Sequence, residues 1–165
     1  MLLFERRAVL FGLAALPIAA CGFQPVYRQG SAATALAGNI IVDLIDSREG
    51  FELLERLETH LGSARPSAEY GLAIDLEITE ESLSIGTTGV VSRQNVLGAA
   101  NISVRSMATG DVLFAERVEI TTAYSVTSAT AATAAAKRGA YQQVALALAD
   151  KINLRLAVTA ADWVQ

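Results

Sequence analysis

The stretch "YGLAIDLEITEESLSIG", residues 70–86, decides the fold. Leu72, Ile74, Leu76 and Ile78 alternate with Ala73, Asp75, Glu77 and Thr79. Successive side chains of a strand point to opposite faces, so this is a strand with one dry face and one wet face. That pattern belongs to an antiparallel sheet covered on one side. Leu83 and Ile85 fall on odd positions. The phase therefore flips near Glu80–Glu81, where a bulge or a strand end is expected.

Two more alternations follow downstream. After the loop "GTTGVVSRQ", residues 86–94, Val96, Gly98, Ala100, Ile102 and Val104 line one side of a second strand. "ATGD", residues 108–111, is a hairpin turn. Val112, Phe114, Val118 and Ile120 line a third strand, and Glu116 interrupts their row. A carboxylate there predicts a place near a sheet edge or a partner for its charge. Three strands joined in this way make a meander.

Helical patterns flank the meander. "NIIVDLID", residues 39–46, is β-branched and reads as a strand of the same sheet, its neighbour unspecified. In "SREGFELLERLETHLG", residues 47–62, Phe51, Leu54, Leu57 and Leu61 recur at helical spacing with Leu53 beside them. Asp46 or Ser47 can cap this helix, Gly62 ends it and Pro66 lies beyond. Residues 123–157 hold a long alanine-rich helix that Ser128 or Thr130 can cap. Tyr141, Val144, Ala145, Leu148, Ile152 and Leu156 form its apolar stripe. Gly139 marks either a close approach or the point where docking begins. The expected fold class is α+β. It is a two-layer sandwich, with a mainly antiparallel sheet of about four strands and two helices packed on one face.

Composition narrows the function. The chain has 165 residues, 52% of them apolar, and a net charge of −4. A mildly acidic protein lacks the basic stripe of a nucleic-acid binder. One histidine and one cysteine cannot build the usual zinc site or an intrachain disulfide. No cofactor is expected.

The N-terminus reads as a targeting segment. Arg6 and Arg7 are a basic start, "AVLFGLAALPI" at residues 8–18 is an apolar run, and Ala19–Ala20 are a small-residue cleavage end. The run is shorter than the roughly 20 apolar residues a spanning helix needs. Both general and twin-arginine export remain open. "IAAC", residues 18–21, resembles the bacterial lipobox. The resemblance implies cleavage before Cys21 and acylation of its sulfur and new amino group. Gly22 next to it, by likeness to enterobacterial sorting, implies the outer membrane. The expected division is a signal peptide at 1–20, a lipidated N-terminus and tether at 21–38, and one α+β domain at 39–165. Two or three acyl chains anchor stably, since each buried CH₂ contributes about 0.8 kcal/mol.

Catalytic patterns are missing from the sequence. There is no phosphate loop, no Gly-x-Ser-x-Gly elbow and no His-Glu-x-x-His. His60 has no activating partner at a readable spacing, and Glu80–Glu81, adjacent on a strand, face opposite ways. Asp75 and Glu77 share a wet face. No catalytic residue and no metal ligand is assigned, and no enzyme is expected. Arg93, at the end of the glycine loop, and Lys137–Arg138, which interrupt a neutral run, are candidates for contact with an anionic lipid headgroup. Ordinary solubilising charge is the competing reading.

"CGFQPVY", residues 21–27, resembles the start of the mature lipopolysaccharide-assembly lipoproteins, the LptE-like family. "IDSREGFELLERLETHL", "SRQNVLGAANISVRSMATGDVLFAERV" and the long final helix with its leading tyrosine are similar to the family's later landmarks. The resemblance implies a small sheet covered by two helices and a non-enzymatic role. It implies an outer-membrane lipoprotein, anchored on the periplasmic side, that assembles with and plugs an LptD-like β-barrel. Together they insert lipopolysaccharide into the outer leaflet, with Arg93, Lys137 and Arg138 expected to touch phosphorylated lipid. Two other readings stand beside it: an accessory lipoprotein of another envelope lipid-transport complex, and a small periplasmic hydrolase using His60 or Asp75.

Overall fold

The computed structural model describes residues 26–83 and 93–164. In chain order the elements are α1 (Ala32–Ala35), β1 (Ile40–Val42), α2 (Arg48–Leu61), β2 (Tyr70–Leu83), β3 (Arg93–Ser106), β4 (Val112–Ser125) and α3 (Thr130–Trp163). The four strands form one sheet in the order β1-β2-β3-β4. β2, β3 and β4 are the antiparallel meander. β1 joins it parallel to β2, with Ile40 opposite Tyr70 and Val42 opposite Leu72. A parallel neighbour requires a crossover, and α2 is that crossover. The α+β sandwich expected from the alternations is the fold observed, with α1 as a short third helix.

The expected row of β3 is buried: Val96, Gly98, Ala100, Ile102 and Val104, with Ala99 of the other face buried beside them. Against them lies the stripe of α3, where Val144, Ala145, Leu148, Ile152 and Leu156 are completely buried. Burying one such leucine or isoleucine contributes about 1.5–3 kcal/mol. Gly98 permits the close approach, because a Cβ there would overlap Val144 and press on Leu148. Gly139 faces open space, and the next residue, Ala140, is the first buried one of α3. Docking of the helix thus begins at 140. Trp163 closes the other end, edge-on to Tyr70 at 5.5 Å and stacked on Phe114 at 6.3 Å between ring centroids.

Three details differ from the sequence pattern. In α2 the buried row is Gly50, Leu53, Leu57 and Leu61, while Phe51 is 61% exposed. The row shifts because Gly50 packs on Ile45, which leaves no room for a larger residue there. Ser47, one of the two expected caps, accepts from the Gly50 amide at 2.9 Å, and Gly62 ends the helix at φ 75°. The ladder of β2 runs unbroken through Glu80 and Glu81 to Leu83, so no bulge lies there. Leu83 simply belongs to the other face, and the irregularity falls between Val104 and Arg105. Ile85 is outside the described residues. Finally, α3 starts without a side-chain cap, its N-cap position being Ala129. Thr133 instead accepts from the Thr127 amide and donates to the Thr127 carbonyl.

The second half of the stretch read as a tether is packed. Ser31 caps α1, and Ala33 and Leu36 are buried. Tyr27 accepts a hydrogen bond from Asn153 of α3 at 3.0 Å.

Among the described residues no element covers the sheet face away from the helices, and that face is polar. Asn101 donates to Asp75, Arg117 donates to Asn101 and Glu119, and Arg117 lies 3.8 Å from Glu77. Along β4, the outermost strand, α3 supplies two cations. Arg155 pairs with Glu116 at 2.8 Å, and Lys151 donates to the Glu119 carbonyl at 2.8 Å. Glu116 has therefore both the edge strand and the partner its sequence position called for.

Candidate lipid-contact site

Register separates the candidate cations. Even positions of β2 turn toward the helices, so Glu80 points at α3 and Glu81 to the opposite face. Lys137 descends from α3 to meet Glu80, its Nζ 3.0 Å from the carboxylate and 5.4 Å from the centre of the Tyr141 ring. The Tyr124 hydroxyl of β4 donates to the same carboxylate at 3.3 Å. The hydrogen bond that Lys137 donates to Glu80 holds its ammonium above its ordinary pKa. Desolvation first, and then the Glu80 charge, raise the Tyr124 phenol. Tyr141 is raised in the same way. Lys137 is thus already engaged.

Arg138, one residue on, is exposed and opens into a cleft of about 300 Å³ between the start of α2 and α3. Arg48, Glu49, Glu52 and Lys137 share that cleft. Arg48 and Glu52 approach to 3.7 Å across one helical turn. Two guanidinium groups in one cleft can each offer paired N–H donors to a phosphate. Glu49 and Glu52 oppose a purely anionic occupant, so the cleft suits a headgroup carrying both charges better than a bare polyanion. Arg48 was missed in the sequence because it reads as an ordinary first-turn residue of α2.

Arg93 is elsewhere. It opens β3, opposite Leu83 and Ser125, on the odd-numbered, uncovered side of the sheet. The structure brings Lys137 and Arg138 together with Arg48 and leaves Arg93 across the sheet. Cys21 lies outside the described residues.

The residues considered for catalysis have structural partners. His60 Nε2 is 2.7 Å from Asp150 Oδ1, and Arg56 Nε lies 2.8 Å from the same oxygen. Arg56, through its hydrogen bond first and with His60 adding to it, holds the Asp150 carboxyl below its usual range. The trio staples α2 to α3. Asp75 accepts from Asn101 in the solvated network of the open face. Among the described residues no group of three or more His, Cys, Asp or Glu side chains could hold a metal ion. Among them also no helix is long and apolar enough to cross a membrane.

No protein-family model matches the chain, and no curated protein matches it by sequence. Solved structures do match in fold. A protein of Caulobacter crescentus proposed to be a lipoprotein superposes with a TM-score of 0.65 at 20% identity, over 79% of this chain and 96% of that one. Rare lipoprotein B of Shewanella oneidensis gives a TM-score of 0.57 at 16% identity, over 74% and 95%. Uncharacterized lipoprotein B of Nitrosomonas europaea gives 0.61 at 14% identity, over 74% and 83%. The likeness is one of fold, and its members are described as lipoproteins.

Proposed function

We propose that this chain is an outer-membrane lipoprotein, acylated at Cys21, that assembles with and plugs an LptD-like β-barrel. In that role it supports insertion of lipopolysaccharide into the outer leaflet and is not an enzyme. The observation that carries the reading is one conjunction. A lipobox-like "IAAC" runs straight into "GFQPVY", and the domain behind it has the fold of rare lipoprotein B. Supporting it, the uncovered sheet face is a polar network of Asp75, Asn101, Arg117 and Glu119. Large barrels have polar lumens, and such a face suits one. The Arg48–Arg138 cleft and Arg93 offer donors for phosphorylated lipid on opposite sides of the sheet.

The test is a mild-detergent pull-down of the acylated protein from outer membranes with identification of its partner. Recovery of an LptD-size barrel is the expected result. Recovery of an inner-membrane permease complex without a barrel favours the accessory-lipoprotein reading instead.

A further inference from the structure

We infer that the edge of β2 from Ile74 to Ser82 takes up an extended segment of a partner protein in which lysine or arginine alternates with β-branched residues. The inference rests neither on the acylation of Cys21 nor on a barrel being that partner.

Backbone directions define the edge. The Tyr70 amide donates to the Asn39 carbonyl at 3.2 Å, and the Leu72 carbonyl accepts from the Asp43 amide at 2.8 Å. Even residues of β2 therefore turn their N–H and C=O groups toward β1, and odd residues turn theirs toward β3. β3 follows β2 through to Leu83, but β1 stops at Val42, opposite Leu72. Beyond that point the backbone groups of Ile74, Leu76, Ile78, Glu80 and Ser82 point to the open side. Among the described residues no strand and no backbone hydrogen bond reaches them there. Leu44, the residue after Asp43, is 80% exposed at the head of this stretch. An edge of this kind binds an extended chain by continuing the hydrogen-bond ladder.

Side chains choose the occupant. On the helix side Ile74, Leu76 and Ile78 are only half-buried against the core, so their apolar row is unfinished at the edge. β-Branched side chains on an added strand extend that row. On the other side Asp75, Glu77 and Glu81 are exposed. Residues 74–82 carry four carboxylates and no basic side chain. Lys137 engages Glu80, Arg117 stands 3.8 Å from Glu77, and only the neutral Asn101 bonds to Asp75, so negative charge is in excess. Cations at every second position of a partner strand fall opposite these carboxylates, and opposite-charge pairs across strands are favourable. The same rule turns away a second copy of β2. In the antiparallel register of full overlap, Asp75 of each copy faces Glu81 of the other, and like charges directly opposite are destabilising. An added strand lies in the plane of the sheet and leaves its polar face free, so this docking is compatible with a plug.

The experiment uses the full chain purified from membranes in a neutral detergent, and a fluorescein-labelled peptide of sequence Val-Lys-Val-Lys-Val-Lys-Val as probe. Fluorescence anisotropy is expected to show saturable binding, and exchange of the three lysines for glutamate is expected to abolish it. Backbone N-methylation of the peptide at every second residue separates strand pairing from charge attraction. The set whose N–H groups face β2, the valines in an antiparallel pairing and the lysines in a parallel one, is expected to weaken binding by about tenfold or more, the scale of one lost hydrogen bond. The other set is expected to leave binding nearly unchanged. Amide exchange followed by NMR is expected to slow at Leu76 and Ile78 and to stay as it was at Asp75 and Glu77, which already bond to β3. Asp75→Asn with Glu77→Gln and Glu81→Gln, all at exposed positions, is expected to weaken binding, with circular dichroism checking the fold. The methylation test on the wild-type chain stands if that variant does not fold. Absence of binding, equal effects of the two methylation sets, or slowed exchange confined to residues outside 74–82 overturns the inference. Slowed exchange at Leu76 and Ile78 that grows with protein concentration and needs no peptide overturns it in favour of a second copy.

Discussion

Lys137 of α3 and Glu80 of β2 meet at 3.0 Å, joining helix to sheet at the end of the sandwich where Tyr124 and Tyr141 also converge. The pair is partly exposed, so it contributes little to stability, about 0–1 kcal/mol. Its electrostatic effect is larger. Glu80→Gln removes a charge that raises the Tyr124 phenol, and the Tyr124 pKa is expected to fall. Near-ultraviolet difference absorbance during an alkaline titration reads that shift. An unchanged Tyr124 titration contradicts the arrangement.

The Arg48–Arg138 cleft and Arg93 make different demands on lipid binding. If phosphorylated lipid enters the cleft, Arg48→Glu with Arg138→Glu weakens lipopolysaccharide binding by about tenfold, the scale of one lost charged hydrogen bond. Arg93→Glu, across the sheet, is expected to have a smaller effect. Lipopolysaccharide titration of the detergent-solubilised protein compares them. Equal affinities for wild type, the double variant and R93E would leave solubilising charge as the role of these residues.

Two glycines should respond in opposite directions. Gly98→Val forces a side chain into Val144 and Leu148, and the expected loss is about 1–3 kcal/mol. Gly139→Ala meets nothing within 4 Å in a helix, and it is expected to stabilise by about 0.5–1 kcal/mol. Urea unfolding of both variants gives the sign directly.

Acid sensitivity follows from Asp150. Its carboxyl is held below the ordinary value, chiefly by Arg56. The unfolded chain therefore takes up this proton first as pH falls. The contribution is complete above the unfolded carboxyl value, about 3.9, and is lost as pH drops through the lower folded value. Asp150→Asn is expected to flatten the stability profile in that acid window and to loosen α2 from α3. Thermal unfolding as a function of pH is the measurement, and a slope identical to wild type speaks against the trio as a staple.

Cys21→Ser should release the protein from the membrane pellet. Fractionation of cells expressing the variant, with the wild type alongside, checks it. Retention in the outer-membrane fraction would mean that anchoring does not depend on this residue.

Much of the fold was legible because a period of two survives burial. Val96 through Val104 alternate in the sequence and are buried on every even position. The neighbour of β1 was not legible, since three β-branched residues carry no register. The bulge was misplaced because Leu83 looks like a phase change, yet it is an apolar residue on the open face of an unbroken ladder. The candidate site was read only as isolated charges. Local spacing cannot show that Glu80, 57 positions before Lys137, would neutralise it. Nor can it show that Arg48 would arrive beside Arg138: the first meeting depends on α3 lying across β2, and the second on α2 and α3 running side by side. The parity that sends Arg93 to the other face was in the sequence all along, since 93 is odd and the row of β3 that meets α3 is even.

Among the described residues β4 ends the sheet, with fourteen residues and no strand beyond it. A bare flank of that length invites another chain to zip on. Lys151 and Arg155 stand guard along it, one bonded to the Glu119 carbonyl and the other to Glu116. Charge placed at such a flank discourages sheet-to-sheet propagation. The helix that covers the hydrophobic layer therefore also places charge along the flank where a strand of a second copy would pair.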